Sequence, residues 1–304
     1  MLLLAFVVAV ATMPPVQVTR NPQAAIGYQV RVDTGTWQQT FLKYRETVSG
    51  GTLGTDRAGH PVGPLVADRL ANSLKLMGLA LLVALVPGVL KGLWDFRQIR
   101  SGRLAIGPAL TGVVQGMPDF WLVMVVQLGA VKLYQYYAVR PFPPIYDDAF
   151  PVRSLVAPVL CLAMIPWAYV ARITSTAMQT IWEKEFIRTA RAKGLHESAV
   201  TIKHALMAAV VPILDGLPNA LTVMCSNLLI VEYLFRYPGM TILLRDAVSA
   251  PPPGVDIRRP LPAPDVPVLV AAGVTLGLVF WLVHMLILVL RRAADPRLKE
   301  GGQS

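Results

Sequence analysis

Apolar runs long enough to cross a bilayer recur along this chain, and they constrain its fold more than any motif does. They cover about Asn72 to Leu93, Pro108 to Val131, Leu155 to Thr176, Ala208 to Leu234 and Val266 to Leu290. A backbone in lipid must satisfy its own hydrogen bonds, so such runs form helices. A further run, Met1 to Thr12, stops at Pro14-Pro15, short of the roughly 20 residues a span takes. A signal peptide is the rival reading there, with Ala9-Val10-Ala11 as a cleavage-like site, but no Lys or Arg precedes the apolar core. A first, short span is the expectation. The expected fold class is all-α, a polytopic membrane protein of about six transmembrane helices.

Composition agrees, with 54% hydrophobic and 15% charged residues, more apolar and less charged than soluble domains. A net charge of +10 raises nucleic acid as a partner. The cations do not gather into a basic domain with interleaved aromatics, so no nucleic acid is expected. They lie between apolar runs, and loops rich in Lys and Arg face the cytoplasm. Lys91, Arg97, Arg100 and Arg103 mark one loop, Arg172 to Lys203 a second, and Arg291, Arg292, Arg297 and Lys299 the tail. Both termini are therefore expected in the cytoplasm. The expected organisation is a first span over 1–18, an external segment over 19–70, a membrane core over 71–292 with a cytoplasmic loop at 183–212, and a cytoplasmic tail over 293–304. In the external segment, Trp37, Phe41 and Tyr44 are spaced for one face of a short helix. Cys161 and Cys225 fall in apolar runs, as packing residues rather than a disulfide or metal site.

The longest polar helical pattern runs from Glu183 to Leu214, between two spans. At 100° per residue, Lys184, Arg188 and Arg191 share one arc, while Phe186, Ile187, Ala190 and Gly194 take the other side. Gly194 follows the last turn, where a left-handed residue closes a helix. Arg191 and Lys193 lie in that turn, where cations suit the helix dipole. A second helix leads back into apolar sequence. The pattern alone fits either a docking loop or an ordinary solvated, positive cytoplasmic loop.

The residues of this stretch carry a resemblance. Arg188-Thr189-Ala190-Arg191-Ala192-Lys193-Gly194-Leu195, followed by His196, His204-Ala205-Leu206 and Pro212, resembles the EAA loop of binding-protein-dependent ABC importer permeases. It is most similar to the dipeptide, oligopeptide and nickel group, where Arg commonly replaces the motif's Glu. Val231-Glu232-Tyr233-Leu234-Phe235-Arg236-Tyr237-Pro238-Gly239-Met240 is similar to that family's Glu-x-x-Phe-x-x-Pro-Gly stretch. Asp68 to Ser73, Gln115 to Phe120 and Asp295-Pro296-Arg297 match family elements in order, so the resemblance covers roughly Asp68 to Lys299. Met13-Pro14-Pro15 stands where the family has Pro-Gly-Asp-Pro, and Pro251-Pro252-Pro253 lies in what resembles an insertion.

The resemblance implies a type I ABC importer permease fold, in the cytoplasmic (inner) membrane of a prokaryote, translocating di- or oligopeptides, nickel or a related small solute. It implies a second permease subunit, two cytoplasmic ATPase subunits and an extracytoplasmic solute-binding protein, with the loop from Arg188 to Pro212 as the ATPase-coupling element. No cofactor is expected in this chain, because ATP and Mg would sit on the partner subunits. The sequence has no Gly-x-x-x-x-Gly-Lys-Ser/Thr phosphate loop, no Gly-x-Ser-x-Gly elbow and no His-Glu-x-x-His, so the chain itself is not expected to be an enzyme. His196 and His204 are eight apart, but the break at Gly194 and the lack of a third ligand argue against a metal site, and both histidines are read as docking or structural residues. Asp119, Asn227 and Glu232 are candidates for the translocation path, since polar groups in spans face partners or water. For Asp119 a position beside a helix kink, with local backbone partners, is the equal alternative. The rival class is a stand-alone secondary transporter or channel, which would show an inverted repeat and mid-membrane ionisable residues.

Overall fold

The computed structural model describes residues 16–20, 28–32, 52–56, 58–102, 106–138, 141–249 and 265–294. The run Met1–Thr12, the Trp37, Phe41 and Tyr44 helix, Arg103, the Pro251–Pro253 insertion and Asp295-Pro296-Arg297 lie outside the described residues. So do the side chains of Arg291 and Arg292.

The chain divides into two compact units, one of Met1–Leu74 with Pro238–Trp281, the other of Lys75–Tyr237 with Leu282–Ser304. The first holds an antiparallel ribbon of β1 (Val16–Arg20) and β2 (Tyr28–Val32), with Val16 opposite Val32 and Arg20 opposite Tyr28. Valines alternate with polar residues in both strands, the period of a pleated strand. The ribbon is an addition to the all-helical expectation, and it lies outside the apolar runs.

The helices follow the apolar runs but overshoot them. α1 spans Val62–Arg100, α2 Ile106–Gly116, α3 Asp119–Tyr137 and α4 Pro151–Trp182. Then come α5 (Glu185–Ala192), α6 (Glu197–Ala199), a π-helical turn over Val200–Leu206, α7 (Met207–Phe235), α8 (Met240–Ser249) and α9 (Val266–Ala294). α1, α4, the continuous helix Glu197–Phe235 and α9 are long and apolar enough to cross a membrane, and the pair α2 and α3, bent by 102°, makes a fifth crossing if it is one span. The bend falls at Met117-Pro118, inside the Gln115 to Phe120 element. Pro118 has no N–H to continue α2 and disfavours helical backbone at Met117.

In the unit built on Lys75–Tyr237, α4 is the central helix, with 72% of its apolar window buried against 33% or less in the other spans. Small residues make this possible. Ala157, Ala163, Ala168 and Ala171 are all buried, and α1 closes on α4 at Gly92, where a Cβ would lie 2.5 Å from the Ala171 carbonyl oxygen. Pro158 and Pro166 are accommodated inside α4, as prolines are in membrane helices. Cys161 and Cys225 are buried free thiols.

Two sequence boundaries move. Lys91 to Arg100 is helix, the last turns of α1, rather than a loop. Asp95 pairs with Lys91 one turn away, so these charges can lie along a helix. Arg172 is not at the end of its helix, since α4 continues for ten more residues to Trp182. In the other unit, the entry to α1 is tied to the start of α8. The Met240 amide donates to Ser73 Oγ at 2.9 Å, and Asn72 Nδ2 to the Pro238 carbonyl at 3.0 Å. These contacts join Asp68–Ser73 to the Pro-Gly-Met stretch.

Candidate functional site

The basic loop begins where α4 ends. Lys184, in extended conformation, turns the chain into α5, a two-turn helix with Glu185 in its first turn and Arg191 in its last. That order of charge suits the helix dipole. Ile187 and Ala190 are buried, three residues apart on one face. They pack into a cluster with Phe96 of α1, Ala177, Met178 and Ile181 of α4, Val200 and Ala205 of the π turn, and Ala209 of α7. Burying one Ile contributes about 1.5–3 kcal/mol, so this seat anchors α5 on three helix ends. Phe186 departs from the expected apolar side and is 47% exposed. It sits one residue, hence about 100°, away from Ile187, which takes the seat.

Lys193 caps α5, and Gly194 adopts φ +74°, the left-handed position that closes a helix without a Cβ penalty. Its N–H donates to the Arg191 carbonyl at 2.9 Å. A Cβ there would meet nothing within 4 Å, so the glycine is required by backbone conformation and not by space. His196 then caps α6 by accepting from the Ser198 amide at 3.3 Å. Arg188, Thr189, Arg191, Ala192, Lys193, Leu195 and His196 are exposed. Arg188 pairs with Glu185 at 2.9 Å, a solvated contact worth about 0.5 kcal/mol or less. His204 is half-buried in the π turn, and Pro212 is exposed on α7. Within Arg188 to His196 every residue but Ala190 is thus exposed, whereas His204 lies within the π turn and Pro212 beyond it on α7.

Sequence reasoning missed the clasp on this loop. Glu197 accepts from Arg100 at 2.8 Å and from Arg191 at 3.2 Å. Both guanidinium groups lie over the Trp182 ring, at 4.3 and 5.6 Å, and Phe96 tilts against the same ring at 5.3 Å. The hydrogen bond and charge of Arg100, then those of Arg191, hold the Glu197 carboxyl below the ordinary carboxylate value. The available signal was Glu197, the one acid between Phe186 and Lys203.

The path candidates separate into two places. Asp119 opens α3 at the bend and hydrogen-bonds Asn227 of α7, which is buried. Glu232 is fully buried near the end of α7, where its carbonyl accepts from the Tyr237 amide at 3.0 Å. Asp119 therefore has a partner on another helix rather than only its own turn. Among the described residues no cluster of three or more His, Cys, Asp or Glu could hold a metal.

The comparisons with known proteins agree with this architecture. A putative peptide transport system permease of Brucella abortus is 29% identical over 244 residues, covering 79% of this chain and 72% of that protein. The oligopeptide transport system permease OppB of Mycobacterium tuberculosis is 28% identical over 297 residues, covering 92% and 86%. Among solved structures, a chain of the inward-facing MetNI methionine ABC transporter matches with a TM-score of 0.56 at 14% identity, covering 76% of this chain and 96% of that one. An amino acid ABC transporter crystallised with histidines matches at 0.52 and 17%, covering 77% and 94%. These two establish the shared fold, an ABC importer permease of type I. Residues 105–300 match the family of binding-protein-dependent transport system inner membrane components, a match that takes in the bent pair, the basic loop and the last span, and the chain belongs to that family of membrane permeases.

Proposed function

We propose that this permease carries di- or oligopeptides across the inner membrane, and that its loop from Arg188 to Pro212 is the surface on which a cytoplasmic ATPase docks. The carrying observation is the two-sidedness of α5. Its buried side, Ile187 and Ala190, is seated among the ends of α1, α4 and α7. Exposed beyond that seat are the apolar Phe186 of α5 and Leu195 after Gly194, with the cations Arg188, Arg191 and Lys193 of the same loop. An apolar centre with a charged rim is how a docking interface is built. A partner that moved α5 would move three helix ends at once, a rigid-body change between discrete packings. The peptide class is supported by the names of the Brucella and Mycobacterium relatives.

The working assembly has a second permease subunit, two ATPases on the cytoplasmic side and a solute-binding protein outside. Both termini and the basic loop face the cytoplasm, and ATP and Mg belong to the ATPases. The test is Gly194→Asp in the full chain. The Asp must adopt a left-handed backbone, which strains Asp less than most residues, so its main effect is the anion it places among the loop's cations. Peptide uptake is expected to be abolished with membrane insertion intact, and the ATPase is expected to stop co-purifying. Unchanged uptake would remove the docking assignment.

A further inference from the structure

One cation of α4, Arg172, precedes the basic loop. It lies inside α4, exposed, four residues before the end of the apolar run from Leu155 to Thr176. An arginine at that depth is costly against lipid, and such residues face water-filled cavities or partners. Arg172 does line an open cavity, of about 640 Å3, with Tyr169, Thr176 and Thr180 on α4 and Pro212 on α7. Residues 169, 172, 176 and 180 follow helical spacing, so they form one polar stripe along α4.

The chemistry of the stripe is one-sided. Arg172 has no carboxylate partner among the described residues; its one hydrogen bond runs from a guanidinium N–H to Gln115 Oε1, at 3.1 Å. That bond fixes which way the Gln115 amide points, because its nitrogen cannot accept. Gln115 Nε2 is then buried with no acceptor. A buried unsatisfied donor of this kind calls for an explanation. Tyr169 and Thr176, in contrast, line the cavity together with Arg172. The cavity therefore sets one cation, with no carboxylate partner among the described residues, and the Tyr169 and Thr176 hydroxyls beside the apolar Ile173, Ala177, Ile181 and Pro212, groups that can receive a carboxylate on an otherwise apolar chain.

We infer that Arg172 anchors a carboxylate subsite on the translocation path, with the Tyr169 and Thr176 hydroxyls of the same cavity as supporting donors. Its ligand is the free C-terminal carboxylate of the peptide in transit. This rests on the proposed peptide transport. The subsite holds the peptide's charge near the end of that apolar run of α4, so the carboxylate need not pass an apolar wall unpaired.

The test uses cells of the source organism in which the chromosomal copy carries Arg172→Gln or Arg172→Lys. Uptake of labelled trialanine is compared with that of its C-terminal amide, and the amount of chain in the membrane is measured alongside. The unchanged solute-binding protein cancels from the comparison between variants. In the wild type the acid is expected to be carried better than the amide. Arg172→Gln is expected to lower acid uptake by about tenfold or more, the worth of a charged hydrogen-bonded pair, and to leave amide uptake unchanged. Arg172→Lys is expected to keep part of the acid preference; if the Gln variant does not reach the membrane, the Lys variant is read alone by the same ratio. Acid and amide falling together assign Arg172 to a structural, lipid or subunit contact and overturn the subsite, as does acid uptake that does not change. A wild type that carries both equally also overturns it. A wild type that carries neither overturns the peptide reading itself, and the subsite with it.

Discussion

Two charge clusters tie α1 to its neighbours, and they sit in opposite surroundings. Lys91 and Asp95 are nearly dry, 10% and 2% exposed, whereas Arg100 and Glu197 are wet, 34% and 60% exposed. The dry cluster is saturated. Lys91 Nζ donates to Asp95 Oδ1, the Gly107 carbonyl and Thr111 Oγ1, at 2.5, 3.0 and 3.0 Å, and the Thr111 hydroxyl donates to Asp95 Oδ2 at 2.8 Å. A Cβ at Gly107 would strike Asp95 Oδ1 at 2.3 Å, so only glycine lets α2 approach. The wet cluster is a single carboxylate shared by two arginines over one Trp. Both clusters place cations near indole rings, Lys91 4.9 Å from Trp94 and Arg100 4.3 Å from Trp182. Geometry is therefore similar and solvent is not. In water the Coulomb gain is small and screened. In the dry site each charge depends on the other, because either one alone is buried without compensation.

That contrast sets the order of effects. Asp95→Ala leaves Lys91 buried and unpaired, and should cost about 3–5 kcal/mol of stability. Thermal unfolding of the purified complex in detergent checks this. The pair Lys91→Met with Asp95→Leu should recover most of the loss, since removing both charges is often neutral. A double variant as unstable as Asp95→Ala would mean that Thr111 and Gly107, not the ion pair, carry the site. The apolar seat below the wet cluster comes next. Ile187→Ala should cost about 2–5 kcal/mol, and it should lower ATPase co-purification because α5 loses its anchor. Docking that survives this change would place the interface on the rim alone.

The same contrast explains what the sequence could show. The spans were legible because hydropathy is local, and the two-sidedness of α5 was legible because Ile187 and Ala190 lie three residues apart. Gly194 was legible because a helix stop needs a left-handed residue. What was hidden depends on distant partners. Lys91 and Arg97 read as loop cations, since nothing local says that Gly107 and Thr111 would receive Lys91. Glu197 and Arg100 are 97 residues apart, and no periodicity joins them. Phe186 was assigned to the apolar side by its type, but the cluster under the loop has room for Ile187 and Ala190 in that register. The role of Arg172 was hidden by a boundary, because α4 runs well past the end of its apolar stretch.

The smallest expected effect is the most specific to the wet cluster. Glu197→Gln should change stability by no more than about 1 kcal/mol, and less at high salt. Its pH dependence gives the sign. Arg100 and Arg191 hold the folded carboxyl below its ordinary value of 4.5, so the unfolded chain takes up the proton first as pH falls. The contribution is full above that ordinary value and is lost as pH drops through the depressed folded value. The wild type and Glu197→Gln should therefore differ by a constant margin in unfolding midpoint from pH 7 to pH 5 and converge at lower pH, with the margin narrowing in salt. Asp95→Ala should show no comparable narrowing in salt, because screening does not reach a dry pair. A salt-independent margin for Glu197→Gln would mean that Glu197 acts through its helix-capping position, and the contrast between the two clusters would then be one of packing and not of solvent.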